Sequence, residues 1–424
     1  MQERASYTPK SGFLPCKMLL PGNTEGKGWE NIPTDTDIQK RQAKMSDITI
    51  TEVRTKKQLD RFIRFNYELY EGNEYAVPEL YADMKGMFSQ KKNAALEFCD
   101  YRLFTAEQDG KTVGRVAAII NHRANETWHT RCVRFGWIDF IDDERVSAAL
   151  LNAVAQYGRE NGMAEMQGPL GFTDFDREGM LIEGFDQLGT MSTYYNYPYY
   201  PEHMERYGME KEIDWVERKV ICPENIPEKY VRVSEMVAKR YGLRVKKLKN
   251  MREVKHDEYG KRIFQLINDS YAPLFGYSRL SERQIDQMVN TYMPLVDLRM
   301  QCLVMNDNDE LVGVGLSMPS IVRALQKSHG MMFPFGWWHL LKSLKWKHES
   351  GVELLLIAVR PDYQGKGVNA LIFNDLIPIY HQMGFKWAET NPQLEDNFQS
   401  QAQWEYLNPK VHKRRRCYKK AIEG

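Results

Sequence analysis

The run from Glu353 to Ala370, ELLLIAVRPDYQGKGVNA, holds the densest chemical signal in the chain. An apolar strand, Leu354 to Val359, enters a turn fixed by Pro361, two glycines free the backbone, and a helix follows with Leu371, Ile372, Leu376 and Ile379 on one face. Residue types in this order build an anion cradle. Backbone N–H groups from Gln364 through Gly365, Lys366 and Gly367 to Val368 point outward where no Cβ blocks approach, with the positive end of a helix behind them. A pyrophosphate fits such a cradle, held chiefly by main chain, with Lys366 adding a surface charge. The alternative is a purely structural strand-to-helix turn. A Walker loop is excluded because no Gly-Lys-Ser/Thr is present, and a dinucleotide fold because the Gly-x-Gly-x-x-Gly spacing is missing.

The run resembles the acyl-CoA-binding motif of the Gcn5-related N-acetyltransferase (GNAT) superfamily, Gln/Arg-x-x-Gly-x-Gly/Ala after a strand. Gln364 and Gly367 match, and Asn369 stands where Gly or Ala is usual. The resemblance implies that acyl-CoA is a co-substrate rather than a permanently bound cofactor. It also implies that the pantetheine arm lies along the Leu354 to Val359 strand, which splays from Lys386 to Thr390, and that Asn369 and Asn397 join its contacts. A free backbone N–H near Ala358 or Val359 would polarise the thioester, with Ile357 beside them along the pantetheine arm. Direct attack by an amine needs a proton acceptor and a donor for the departing thiolate. Glu353 and Glu389, at a strand start and a strand end, are candidate acceptors; their alternative is as solvated carboxylates. Tyr406 is the candidate donor, although offset from the superfamily's usual spacing, and its alternative is packing. The corresponding place in the first half reads Asp142, Asp143, Glu144, with no glycine, so that copy is expected not to bind CoA.

Two further segments point to the acceptor. Residues 168–186 are rich in Gly, Pro and acids, and Tyr194, Tyr195, Asn196, Tyr197, Pro198, Tyr199 and Tyr200 follow. Asp174, Glu178, Tyr195, Asn196 and Tyr199 would line a pocket for a cationic amine with an apolar body; the alternative is a tyrosine-rich packing loop. Residues 333–348 place Trp337, Leu340, Leu341 and Leu344 on one helical stripe beside Lys342, Lys345 and Lys347. That pattern suits a helix lying in a membrane interface or a buried connecting helix. The acidic run, the tyrosine loop, the Phe-Pro-Phe-Gly-Trp segment and the terminal CoA motif together resemble the bacterial ceramide synthase-like group of acyltransferases, over most of residues 46–420. This implies an N-acyltransferase whose acceptor is a primary amine, at its finest a sphingoid base. The basic run Lys413 to Lys420 reads as the alternating edge strand of a sheet, and no nucleic acid is expected as a partner.

The elements that must position these groups are those of an α/β, α+β mixed-sheet protein. Strands around Tyr101 to Ile120 and Val133 to Ile141 precede a helix through Val146, Leu150, Val154 and Tyr157, and the second half repeats the order: a hairpin from Gln301 to Ser317, the cofactor strand, then a helix to Met383. The expected organisation is a flexible leader, 1–44, a degenerate acyltransferase-like domain, 45–222, and an acyl-CoA-binding domain, 228–424; Met45 is a candidate start. The 424 residues suit two such units, and 58 Lys+Arg against 57 Asp+Glu leave a formal charge of +1 with no whole-chain field for nucleic acid. Mean hydropathy is −0.57. Six scattered cysteines without a CxxC pair argue against a zinc ribbon or a disulfide scaffold, and no metal site is expected. No apolar stretch is long enough to span a bilayer. A cytoplasmic protein, with contact to the inner face of the cell membrane through 333–348, is the expectation. A non-catalytic CoA- or lipid-binding module and an aminoacyl-tRNA-dependent transferase are the competing functions.

Overall fold

The structure, a computed structural model, describes residues 47–423, so the expected leader lies outside the described residues. The strands are β1 (Thr49–Glu52), β2 (Cys99–Gln108), β3 (Lys111–Asn121), β4 (Cys132–Phe140), β5 (Glu165–Gly168), β6 (Met180–Glu183), β7 (Glu210–Ile221), β8 (Arg244–Lys246), β9 (Gln301–Met305), β10 (Leu311–Pro319), β11 (Gly351–Val359), β12 (Trp387–Thr390), β13 (Gln393–Leu394) and β14 (Lys410–Ala421). They join in one sheet ordered β1-β2-β3-β4-β5-β14-β7-β12-β11-β10-β9-β8. From either end inward the pattern is the same: antiparallel neighbours, then one parallel pair, β4 with β5 and β11 with β12. Each parallel pair needs a crossover, and a helix supplies it. These are α1 (Glu144–Glu160) and α5 (Val368–Gln382), with α2 (Glu228–Tyr241) packed against the latter through Val237.

α1 packs Val146, Leu150 and Val154 on the first half of the sheet, and α5 packs Val368, Leu371, Ile372 and Leu376 on the second. The repeated element order therefore appears as two copies of one mixed α/β arrangement. The copies exchange their last strands. β7, from the first half, pairs with β12 of the second, while β14, at the chain's end, pairs with β5 of the first. β14 also pairs with β7 along most of its length. The basic C-terminal run is thus a central strand and not an edge. Its alternation survives in another form: Lys413 and Arg415 are each 1% exposed, whereas Arg414 and Arg416 face outward onto Glu183, Glu395 and Asp214.

At the N-terminus of α1, where the second copy has glycines, Asp143 accepts the Arg145 N–H and pairs with the Arg145 guanidinium. A side-chain carboxylate already caps the helix, and a phosphate would meet its charge.

Candidate active site

The second copy opens where the first is capped. β11 and β12 pair from Gly351/Trp387 to Leu354/Thr390 and then separate. Pro392 follows, a residue without an N–H to continue the ladder, and the chain turns away to pair as β13 with β7. β11 itself carries one extra residue at this level, because Leu316 pairs with Leu356 and Ser317 with Leu354. Asn391 holds the closed end of the fork: its Nδ2 donates to Leu355 O at 2.6 Å, and its Oδ1 accepts from Ser192 Oγ at 3.1 Å. Sequence reasoning missed Asn391, although the Asn-Pro step directly after a strand was its signal.

Along the open stretch, Ile357 O accepts from Tyr271 Oη and Val359 O accepts from Ser270 Oγ and the Gln364 side chain, each at 3.0 Å. A strand residue's N–H and C=O share a side, so the N–H groups of Ile357 and Val359 face the fork. Arg360 N bonds to Val312 O, which turns the alternate residues, Ala358 among them, toward β10. Ile357 and Val359 therefore present backbone donors to the fork, and Ala358 does not. Tyr271 and Ser270 end the helix α3 (Tyr259–Tyr271), and neither stood out in the sequence.

In the turn before α5, Gly365 and Gly367 have φ of 72° and 84°, the left-handed region that glycine enters without steric cost. Gln364 N and Lys366 N bond back to Pro361 O and Tyr363 O. Those two amides close the turn. The donors left to face an anion are the N–H groups of Gly365, Gly367, Val368 and Asn369, the last two in the first turn of α5, whose amides have no intrahelical partner. The Gln364 side chain folds back onto β11 rather than outward. Lys366 sits over the Tyr241 and Tyr363 rings, at 5.2 and 5.0 Å.

Fork and cradle open on one cavity of about 780 Å³. It is also lined by Asp174, Asp176 and Glu178, brought from the first half of the chain. Burial pushes the Asp174 carboxyl up to about 6, tempered by Arg134 and by the Ser278 N–H it accepts at 3.0 Å. Asp176 is pushed up to about 7 by burial, although the Thr173 N–H bonds it at 3.0 Å. Glu178 is raised well above the usual carboxylate range by burial and by the neighbouring Asp174. Asp176 was passed over as a site residue in the sequence. Apolar walls, Trp215, Leu274, Phe275 and Leu394, adjoin the carboxylates.

The other expected residues lie elsewhere. Tyr195 Oη donates to Phe185 O and its ring packs on Tyr70; Asn196 bonds both N and O of Leu181; Tyr199 Oη donates to Phe140 O. Those three bond within the first half and do not line the cavity. Glu353 and Glu389 face away from the fork, onto a separate void of about 40 Å³. Neither is solvated, at 1% and 4% exposed. Glu353 accepts Met191 N at 3.3 Å and Ser320 Oγ at 3.2 Å, and burial beside Glu389 pushes it up to about 7. Glu389 meets Lys413 Nζ at 2.5 Å, Lys413 meets Glu217 at 2.8 Å, and Glu217 meets Arg415 at 2.6 Å. Burial would raise Glu217, but Arg415 and Lys413 hold it below the usual range. This buried chain of alternating charge ties β14 to β7 and β12. Tyr406 sits at the cavity's outer rim, 40% exposed, with its ring against Tyr230 and its hydroxyl on Lys229. Asn397 lines the cavity but spends its side chain capping the short helix α6 (Phe398–Ala402) at Ser400 N.

A sheet of two such copies, each with a helix crossing between its parallel strands and the second with the forked strand β11, is the tandem GNAT acyltransferase fold, α/β with a mixed sheet. The tandem GNAT protein from the clavulanic acid biosynthesis pathway superposes with a TM-score of 0.51 over 89% of this chain and 99% of its own, at 11% identity. By sequence the chain is similar to the bacterial ceramide synthase of Caulobacter vibrioides, 24% identical over 320 residues, 75% of this chain and 82% of that protein. It is also similar to protein YghO of Escherichia coli (strain K12), 26% identical over 375 residues, 87% of this chain and 94% of that one. No family model matches the chain.

Proposed function

We propose that the protein is an acyl-CoA-dependent N-acyltransferase whose acceptor is a primary amine on a long apolar body, a sphingoid base being the class that fits best. The observation that carries this reading is the meeting, in one cavity, of a backbone anion cradle, a forked strand with inward N–H groups and three half-buried carboxylates. The amide donors of Gly365, Gly367, Val368 and Asn369 take the pyrophosphate, and the pantetheine arm enters the fork. Asp174 and Asp176, each tied by a backbone N–H, hold the ammonium; Glu178 takes its proton. The amine nitrogen then bonds to the thioester carbon, whose oxygen the Val359 or Ile357 N–H polarises, and the C–S bond breaks. Tyr271, kept protonated because burial pushes its hydroxyl up to about 12, supplies the proton to the departing thiolate and takes back the second proton that the acylated nitrogen sheds on becoming the neutral amide. The similarity to a protein named bacterial ceramide synthase supports the lipid amine. A place in sphingolipid metabolism, on the cytoplasmic side with peripheral contact at the inner membrane face, follows from the same reading. In this scheme the first unit, 45–222, is the degenerate copy and the second, 228–424, the CoA-binding one.

The test is acylation of sphinganine by purified protein across a series of acyl-CoA chain lengths, read by mass spectrometry. Amide product is expected, with Glu178→Gln slowing turnover roughly a hundredfold while CoA still binds. If no amine in a broad panel is acylated while CoA binds tightly, the chain is a non-catalytic CoA-binding module instead.

A further inference from the structure

The helix α4 (Gly336–Lys345) and its flanks carry an apolar surface with no counterpart in the site just described. Phe333, Phe335 and Trp346 are 81, 68 and 62% exposed, and Trp337 and Trp338 are 43 and 44% exposed. The leucines expected on the outward stripe point the other way. Leu340 is buried with Gly336 and Ser343, Leu344 is half-buried, and Ser343 Oγ donates to Ser320 O, so the inner face of α4 is already satisfied by the protein. What faces out is a cluster of indoles, Trp338 within 5.9 Å of Trp337 and 5.4 Å of Trp346, ring centre to ring centre. Such rings, left in water with Phe333 and Phe335 beside them, form an exposed patch that calls for a partner.

Charge selects among partners. Lys342, Lys345 and Lys347 are exposed in the same segment, and no Asp or Glu occurs between Glu310 and Glu349, in a chain whose formal charge is only +1. A second copy would bring lysine against lysine. An anionic lipid surface supplies the opposite charge for the lysines and an interfacial layer in which indole and phenyl rings are at home. At about 1.5 Å per residue the helix is too short to cross and long enough to lie in that layer.

We propose that residues 333–347 are a docking surface for an anionic phospholipid leaflet, with Phe333, Phe335, Trp337, Trp338 and Trp346 inserting among the acyl chains and Lys342, Lys345 and Lys347 meeting the headgroup phosphates. The contact orients the enzyme as well as holding it. Leu340 and Leu344 pack in the same cluster as Leu355, and Leu355 borders the substrate cavity, so the fork lies one layer of side chains behind the docked face. The purpose of the contact rests on the lipid-amine reading above; the evidence for it does not.

The full chain is sedimented with vesicles of phosphatidylcholine alone and of phosphatidylcholine with phosphatidylglycerol, neither containing substrate. Binding is expected on the anionic vesicles, with a blue shift of tryptophan emission. It should weaken about tenfold or more in Phe333→Ser with Phe335→Ser and Trp338→Ser, and likewise in Lys342→Glu with Lys345→Glu and Lys347→Glu. Both variants should bind CoA and acylate a detergent-dispersed amine as the parent does, so loss of docking is separable from loss of chemistry. No binding to anionic vesicles overturns the proposal. So does binding that the aromatic substitutions leave unchanged, or a concentration-dependent dimer that those substitutions dissolve.

Discussion

Glu353 separates two roles that a carboxylate on the cofactor strand could have. Replacing it with Gln keeps the shape, leaves one carbonyl to accept the Met191 N–H and an amide to donate to Ser320 Oγ, and removes the charge. Burial beside Glu389 holds the native carboxyl near 7 against an ordinary 4.5. A folded-state value raised above the unfolded one means that the native chain binds the proton more tightly. The parent is therefore penalised nowhere below pH 4.5 and increasingly as pH rises through 7. With these two values the penalty is about 0.8 kcal/mol at pH 5, about 2 at pH 6 and about 3 at pH 8, as upper figures for a single group. Glu353→Gln should therefore match the parent within about 1 kcal/mol at pH 5 and exceed it by about 3 kcal/mol at pH 8. Urea unfolding followed by tryptophan emission, with midpoints compared at constant m-value across that range, measures it. Parallel stability curves would refute the argument that this carboxyl is a buried acid held neutral. A collapse of acylation with CoA binding intact would show instead that Glu353 reaches the substrate from the far side of the fork.

Gly367→Ala forces a left-handed residue with φ of 84° to carry a Cβ, at about 1 to 2 kcal/mol, and sets that Cβ 3.0 Å from Val233 Cγ1. CoA affinity by calorimetry should fall roughly tenfold, whereas Lys366→Ala should change it little. Lys413→Met removes the cation between Glu217 and Glu389 and should cost about 3 to 5 kcal/mol in urea unfolding; adding Glu389→Gln should restore much of it, and no recovery would mean that the cation's role is not pairing. Asp174 and Asp176, raised to about 6 and about 7, must be ionised to hold an ammonium, so kcat/KM should climb from pH 6 to pH 8 and Asp176→Asn should flatten the climb.

The cradle was legible because its parts are local: a strand, a proline, two glycines and a helix within eighteen residues, each with a single conformational meaning. The place of Asp174 and Glu178 on the cavity wall was legible for a related reason, since acids packed into a Gly-Pro loop must face a polar space or each other. Tyr195, Asn196 and Tyr199 carried the same compositional signal and lie away from the cavity. A tyrosine hydroxyl that caps a backbone carbonyl, as Tyr199 does at Phe140 O, cannot be told in sequence from one facing a ligand. For Glu353 and Glu389, period-two alternation places both on one face of the sheet but says nothing of which face is covered. That answer depends on loop residues 187–191 and on β14, remote in sequence from both. The C-terminal run misled in the same way. Alternating Lys and Arg is the pattern of a wet edge strand. Here Lys413 and Arg415 share one buried carboxylate, Glu217 on β7, about two hundred residues earlier in the chain.

That pairing explains why a copy without a phosphate cradle persists beside one that has it. β7 is the strand next to β12, and Trp215 and Val220 on it line the cavity where the fork between β11 and β12 opens. The acids that face the fork, Asp174, Asp176 and Glu178, also come from the first half. The second half in turn closes the first with β14, whose Tyr418 packs into the first copy's core. Neither half owns a complete sheet. The site is accordingly divided by chemistry and not by domain. In the proposed reading the second copy would hold the acyl donor with main-chain amides, which tolerate little variation in backbone shape, while the first would supply side chains, which can change with the acceptor. With Asp143 capping its helix where the second copy has glycines, the first copy could on this reading vary the wall at Asp174, Asp176 and Glu178 without disturbing the cradle. Specificity for the amine should therefore follow the loop 170–178, and specificity for CoA the turn 364–369.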